Sequence, residues 1–536
     1  MKFKEFMKNF FLGVKTGVSR FSVAFICTIL AFFTVTFEII FESGKEEIII
    51  PLCMTFALTA VFSVLLKIIQ EYITEKLNSI IQYIVSAVVT VVGFILLKTN
   101  YESLYMIMAY TGIMIALVCF MFAILMRGDN RDLVFPRLVS SMVFTGAVCG
   151  VLAGGLSTCI MAFETLLLHF DDSYKVLLTV LALLWIVFYI NIFLSFIPKK
   201  DEEIPQSKIF RSLVLFAGLP LYILLVVILL AYLAKIVVTF NMPVGEINWF
   251  ASFASLFFIF FLLSVRQYSE KLARFFVKYG GYFLFPVLII QAIAVYERIN
   301  AYGLTTPRTV SLVLILISIL FILGSLITPK HFNKIALLSG IIVLVVTVTP
   351  FNVIDMPVKS QTKILEDVLI KNGMIENGVV IPKKDLSQDD AERISSAYHY
   401  LKYDADQVPE FIPDPDKDFE EIFGVNIYDF QNESREHYYF RSKDSVDISE
   451  YDTMIRVDYY YDEASLLEIT HNNQLYSIDV KPIAFDLYSQ YGEAPEDLGI
   501  VVVDDNIALY LVDFGLYLEN EEIDYCNFNG YVLLKD

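Results

Sequence analysis

Along the first 350 positions, apolar residues run in long stretches separated by short polar segments that are mostly cationic. A helix crossing a hydrocarbon core about 30 Å thick needs about 20 apolar residues. The stretches 21–41, 48–69, 79–98, 104–126, 137–168, 176–197, 213–238, 249–265, 280–296, 310–328 and 334–350 approach or exceed that length, which predicts about eleven transmembrane helices. Two are unusual. The stretch 137–168 is longer than a straight crossing needs and carries Gly154-Gly155, so a tilt, a kink or an extension past the surface is expected there. The stretch 249–265 is short and rich in Phe.

After Pro350 the pattern changes. Residues 359–372 (KSQTKILEDVLIKN) read as a helix stopped by Gly373, and Ser387 with Asp390 resembles a capping box opening a second helix over about 388–402. From about 437, aromatic and β-branched runs (HYYF, MIRVDYYY, QLYSIDV, IVVV, IALYLVDF, YVLL) alternate with Asp, Glu, Asn and Gly, which predicts six to eight mostly antiparallel strands. The expected fold is thus an α-helical polytopic membrane bundle (1–350), a helical connector (351–406) and a soluble, mostly β domain (407–536), the last two forming an α+β region.

Charge sharpens this division. Residues 1–350 hold 26 Lys+Arg and 19 Asp+Glu, a net of +7; residues 351–536 hold 14 and 40, a net of −26. One side of the predicted membrane collects about nineteen cations: Lys2, Lys4, Lys8, Lys15 and Arg20, Lys76, Arg127/Arg131/Arg137, Lys199/Lys200/Lys208/Arg211, Arg266/Lys271/Arg274/Lys278 and Lys330/Lys334. Five or six lie opposite. Cytoplasmic loops carry the excess of Lys and Arg, so the N-terminus is expected inside and, after eleven spans, the C-terminal domain outside.

Composition agrees: 57% of the 536 residues are hydrophobic, 18% are charged, and the mean hydropathy is +0.62. Cys27, Cys53, Cys119, Cys149 and Cys159 lie in apolar runs, leaving Cys526 alone in the tail, so no disulfide framework is expected there. His169, His331, His399, His437 and His471 are scattered without metal-ligand spacing. GxxxxGK[ST] and GxSxG are both absent. No cofactor is expected. Asp414, Asp416 and Asp418 begin like a Ca²⁺ loop, but position six is Phe419 and Glu is missing at position twelve, so a solvated acidic linker is the better reading.

The segments GLPLYILLVVILLAYLAKIVVTFNMPVGEINWF (218–250), YERINAYGLTTPR (296–308), PFNV (350–353) and the pair Ser360-Gln361 resemble the bacterial membrane family catalogued as domain of unknown function 4153. The resemblance implies a multi-pass protein of the bacterial cytoplasmic membrane with a soluble C-terminal domain, and no reaction.

Two groups of residues are candidates for function. In the segment 296–308, Arg298 and Arg308 break the charge rule by falling outside, and they flank Tyr302, Gly303, Leu304 and Thr305. Guanidinium forks suit phosphate or carboxylate, so the segment either binds an anion or docks the acidic domain. The second group comprises the intramembrane polar residues Glu164, Asn191, Lys235, Gln291 and Glu297, whose ordinary roles are snorkelling and interhelical bonding.

The leading reading is a non-catalytic envelope scaffold or binding protein. The alternatives are a transporter or lipid-handling protein, with helix breakers at Gly218/Pro220 and Gly280/Gly281/Pro286, and a membrane-embedded transferase or hydrolase. Expected partners are the bilayer and an envelope polymer, a lipid head group or a membrane protein; no nucleic acid is expected.

Overall fold

The computed structural model describes residues 14–535 apart from 75–77, 128–130, 168–171, 201, 240–245, 328–329, 426–434, 442–445, 447, 461–465, 473, 492–499, 505 and 520–521. Lys2, Lys4, Lys8, Lys76 and His169 lie outside the described residues, and of His437 only the strand is described. The chain forms two compact units: 1–366 with 397–407, and 367–396 with 408–536.

In the first unit, ten helices are long and apolar enough to cross a membrane among the described residues: α1 (Ser22–Phe41), α2 (Glu46–Tyr72), α3 (Ser79–Asn100), α4 (Leu104–Leu125), α5 (Arg131–Leu166), α6 (Ser173–Ser195), α7 (Lys208–Thr239), α8 (Glu246–Val265), α9 (Lys271–Tyr302) and α10 (Thr306–Ile327). The protein is a multi-pass integral membrane protein. The eleventh predicted span is α11 (Phe332–Val348), which has 17 residues and is therefore about 25 Å long. It packs along α4, where a Cβ on Gly112 would overlap the side chain of Thr347.

The over-long fifth stretch is one continuous helix, and Gly154-Gly155 does not interrupt it. Breaks do not occur at the other suspected sites either. α9 runs through Gly280, Gly281 and Pro286. In α7, residues Val214–Gly218 are π-helical and the helix then continues. Pro220 has no N–H for the carbonyl four residues back, that of Phe216, and the wider turn absorbs the defect.

Two apolar cores hold the bundle. One joins α1, α2, α4 and the ends of α5 and α6 through Ala24, Ile68, Leu125, Val134 and Leu194. The other joins α7–α10 through Leu219, Ala254, Phe258, Leu262, Leu284, Leu288 and Ile322. α12 (Asp355–Lys371) follows the bundle, opened by the buried Asn352, whose Oδ1 accepts from the N–H groups of Ile354 (2.9 Å) and Asp355 (2.7 Å).

α13 (Gln388–His399) starts at Ser387, whose hydroxyl accepts from Asp390 N–H at 3.3 Å, and passes into a π-helical turn, Tyr400–Asp404. In the second unit, β1 (Ile375–Glu376) and β2 (Val379–Val380) form a small hairpin, and α14 (Phe419–Phe423) follows. The main sheet, antiparallel throughout, has the order β3 (Arg435–Arg441), β8 (Ile507–Glu519), β9 (Glu522–Leu534), β4 (Thr453–Tyr460), with β7 (Ile500–Val502) also on β8. β5 (Leu466–His471) and β6 (Gln474–Asp479) form a separate hairpin. The core of the lobe gathers Ile478, Ala484, Leu509, Phe514, Cys526 and Val532, and α15 (Val480–Tyr491), which strand patterning does not announce, contributes Ala484 and Leu487 to it.

Candidate anion site

Because α8 begins, α9 ends and α10 begins within one end of the bundle, polar residues near those three termini are brought together. Between them lies a cavity of about 460 Å³. α8 contributes Asn248, Trp249, Ser252, Phe253 and Leu256 to its lining. α9 contributes Ala294, Val295 and Arg298. The turn and α10 contribute Thr305, Pro307, Arg308, Val310, Ser311 and Leu314.

The charge of this lining comes from two arginines. Arg308 donates one N–H to the Gly303 carbonyl and lies with its guanidinium carbon 5.9 Å from the Tyr302 ring centroid. Arg298 has a buried Nε with no partner. Both guanidinium groups line the same cavity, where like charges repel. Among the described residues no carboxylate lines the cavity and neither guanidinium has an ion-pair partner. A guanidinium offers five N–H donors and no acceptor, so the site has unused donor capacity and positive charge.

Beneath the cavity the polar groups are linked. Gln291 is fully buried, and its Nε2 donates to Asn248 Oδ1 (2.9 Å) and Ser252 Oγ (2.9 Å). Asn248 Nδ2 donates to Ser311 Oγ at 3.0 Å. This chain ties α8, α9 and α10 together and holds Asn248 and Ser311 at the cavity wall.

The turn 302–306 is held from its other side by backbone-directed bonds. Gln361 Nε2 donates to the carbonyls of Tyr302 (2.8 Å) and Leu304 (2.9 Å), and Leu304 N–H donates to Ser360 Oγ (3.1 Å). Gly303 has φ +76°, and a Cβ there would come within 2.9 Å of Gln361 Nε2, so both conformation and space favour glycine. Thr306 N–H donates to Tyr400 Oη (3.2 Å), and Thr306 Oγ1 donates to the Val353 carbonyl (2.9 Å). The threonine hydroxyl has a single proton, so Tyr400 Oη is the donor in its 2.8 Å bond to Thr306 Oγ1. Burial pushes the Tyr400 phenol above its ordinary pKa, against the bond it accepts from Thr306 N–H; the phenol keeps the proton it donates. The segments 296–308, 350–353 and 360–361, far apart in sequence, therefore meet at one turn.

Of the candidates read from sequence, Arg298, Thr305 and Arg308 line the cavity, Tyr302 and Gly303 shape the turn, and Gln291 lies beneath it. The other intramembrane residues are elsewhere. Asn191 is buried and donates to Thr28 Oγ1 (2.9 Å) and to the Val187 carbonyl (2.7 Å), within the π-helical stretch Leu183–Tyr189 of α6. Lys235 and Glu297 are exposed, and Glu164 is half-buried on α5.

Asp414 pairs with Lys417 at 2.9 Å, and no set of His, Cys, Asp or Glu able to hold a metal occurs among the described residues. Asp414, Asp416 and Asp418 therefore gain no geometric support as a Ca²⁺ site. Sequence reasoning missed Asn248, Ser252 and Ser311. Their signal was spacing: Asn248 and Ser252 are four apart, and Gln291 and Arg298 seven apart, so each pair shares one helix face.

No curated protein and no solved structure matches the chain. A family model does match, over residues 21–373, which takes in every apolar helix of the bundle and all of α12. The resemblance read from segments 218–250, 296–308 and 350–361 is thereby borne out, and the chain belongs to the family described as Domain of unknown function (DUF4153).

Proposed function

We propose that this membrane protein is a non-catalytic binding protein of the bacterial envelope, and that its bundle takes an anionic ligand between Arg298 and Arg308 at the extracytoplasmic end. The observation that carries the reading is a cavity whose described lining contains two arginines and no carboxylate. The cavity carries the hydroxyls of Ser252, Thr305 and Ser311, and among its described lining residues there is no His, Cys, Lys or carboxylate to serve them as a general base. The unbroken α7 and α9 favour binding over passage through interrupted helices. The external placement of this end rests on the distribution of Lys and Arg among the loops.

Trp249 lines the cavity, and the chain has only one other tryptophan, Trp185. In a Trp185→Phe protein in neutral detergent, glycerol phosphate and phosphatidic acid are titrated against Trp249 fluorescence. At least one should give a saturable change that weakens with added salt and is lost in Arg298→Gln/Arg308→Gln; silence with both probes overturns the reading. Sidedness is tested separately, with Val502→Cys on the exposed edge of β7 in a cysteine-free background. An impermeant maleimide should label it in intact cells, and labelling only after lysis would place the second unit inside.

A further inference from the structure

The cavity described above has a polar head and an apolar flank, and the flank indicates what kind of anion fits. Phe253, Leu256 and Val310 line the cavity and are also 49%, 52% and 48% exposed on the outside of the bundle. In a membrane-spanning bundle, exposed apolar side chains at these depths face acyl chains. Leu256 lies eight residues beyond Asn248 on α8, which at about 1.5 Å per residue is about 12 Å further along the helix. The site thus runs from the polar helix ends, where Arg298 and Arg308 sit, into the hydrocarbon layer without leaving one continuous cavity.

A free phosphate or a sugar acid would satisfy the arginines and make no use of the apolar flank that continues the same cavity. An amphipath fills both. Building on the anion-binding reading, we infer that the ligand is a membrane lipid carrying a phosphate. The phosphate is held between Arg298 and Arg308, and the hydrocarbon chain lies along Phe253, Leu256 and Leu314 and leaves sideways into the bilayer. Asn248 and Ser311, already at the wall, are placed to bond hydroxyl groups of the head. The volume of about 460 Å³ lies within the range of about 300–1,000 Å³ usual for small-molecule sites and takes a head group with the first part of a chain; the rest stays in the membrane.

The test uses the full-length Trp185→Phe protein in phosphatidylcholine vesicles containing a minor fraction of phosphatidic acid with brominated chains. Bromine quenches tryptophan only at short range, so Trp249 reports a chain seated on α8. Brominated phosphatidic acid should quench Trp249 more than the same fraction of brominated phosphatidylcholine. The fraction needed for half the excess effect should rise about ten- to hundredfold in Arg298→Gln, the range for loss of one charged hydrogen-bond partner, and less in Arg298→Lys. Equal quenching by the two lipids, with a glycerol phosphate response retained in detergent, overturns the lipid assignment and leaves the anion site standing. No response to either probe removes both. Excess quenching that survives in Arg298→Gln/Arg308→Gln also overturns the assignment, because the chain would then be seated without the arginines.

Discussion

Arginines occur at both ends of the bundle, and they live differently there. At the end predicted to be cytoplasmic, the Arg20 side chain is 7% exposed and paired: Nη2 is 2.6 Å from Glu71, and further bonds run to the carbonyls of Ile197 (2.5 Å) and Pro198 (3.1 Å). It ties the chain entering α1 to the end of α2 and the segment after α6. Arg266, also buried, pairs with Asp132 at 3.3 Å and lies 3.9 Å from the Phe332 ring centroid. At the opposite end, Arg298 and Arg308 share a cavity with no carboxylate among its described lining residues. Buried charge is tolerated when it is paired. A cation paired with a carboxylate holds the fold, and one beside a cavity with no such pair among the described residues is available to a ligand.

The comparison can be broken by mutation. The largest effect is expected at Arg20→Met, which leaves Glu71 and two carbonyls without their partner and should cost about 3–5 kcal/mol, seen as a steep fall in thermal midpoint in detergent. A midpoint near wild type would mean that the paired cation is not structural. Next comes Gly303→Val. Forcing a β-branched residue to positive φ costs at least about 1–2 kcal/mol, and the collision with Gln361 adds to it; the same thermal assay should show a drop together with weaker ligand binding, since the turn carries Thr305 and leads into Arg308.

An acid in the second unit extends the rule to pH. Asp390 is 3% exposed. Burial pushes its carboxyl upward, but bonds from Lys371 (2.8 Å), Asn372 (3.1 Å) and Ser387 outweigh this and hold it below its ordinary pKa. A carboxylate with a depressed folded-state pKa adds stability that is present above its unfolded value, about 3.9, and lost as pH falls through the lower folded value. Asp390→Asn should therefore flatten the acid limb of the stability curve below about pH 4, and an unchanged limb would show that the cluster adds nothing.

The smallest stability effect is expected at Arg298→Gln. It removes one of two like charges at the cavity and breaks no ion pair among the described residues, so stability should stay within about 0.5 kcal/mol of wild type or rise, while anion binding falls. A loss as large as that of Arg20→Met would place Arg298 among the structural cations.

Much of this was legible along the chain. The eleven apolar stretches each became a helix, because a hydrocarbon solvent forces every backbone polar group into internal bonds and leaves a long apolar run few other choices. Their ends shifted by a few residues, most at 280–296, which is α9 (Lys271–Tyr302); hydropathy registers only the apolar middle of a helix that continues into polar surroundings. Breaks suspected at Pro220 and Pro286 did not occur, since one π-helical turn or neighbouring helices can absorb a missing N–H. In the second unit the strand runs were recognisable from their alternation, but β5 and α15 were not: β5 is fixed by pairing with β6, and α15 by burying Ala484 and Leu487 in the core of the lobe.

For the site, Arg298 and Arg308 stood out in sequence only because they broke a charge pattern. That pattern, the span lengths and the segments shared with the family were properties of the chain alone, fixed by the energetics of moving residues between water and hydrocarbon. What the chain could not show was which polar groups find partners. Gln361 reaches the turn from 57 residues away and Tyr400 from 94, and whether an arginine is saturated or open depends on neighbours brought in from distant helices. The difference between Arg20 and Arg298 therefore belongs to the tertiary structure, because hydrogen-bond satisfaction is a property of positions in space and not of residue type.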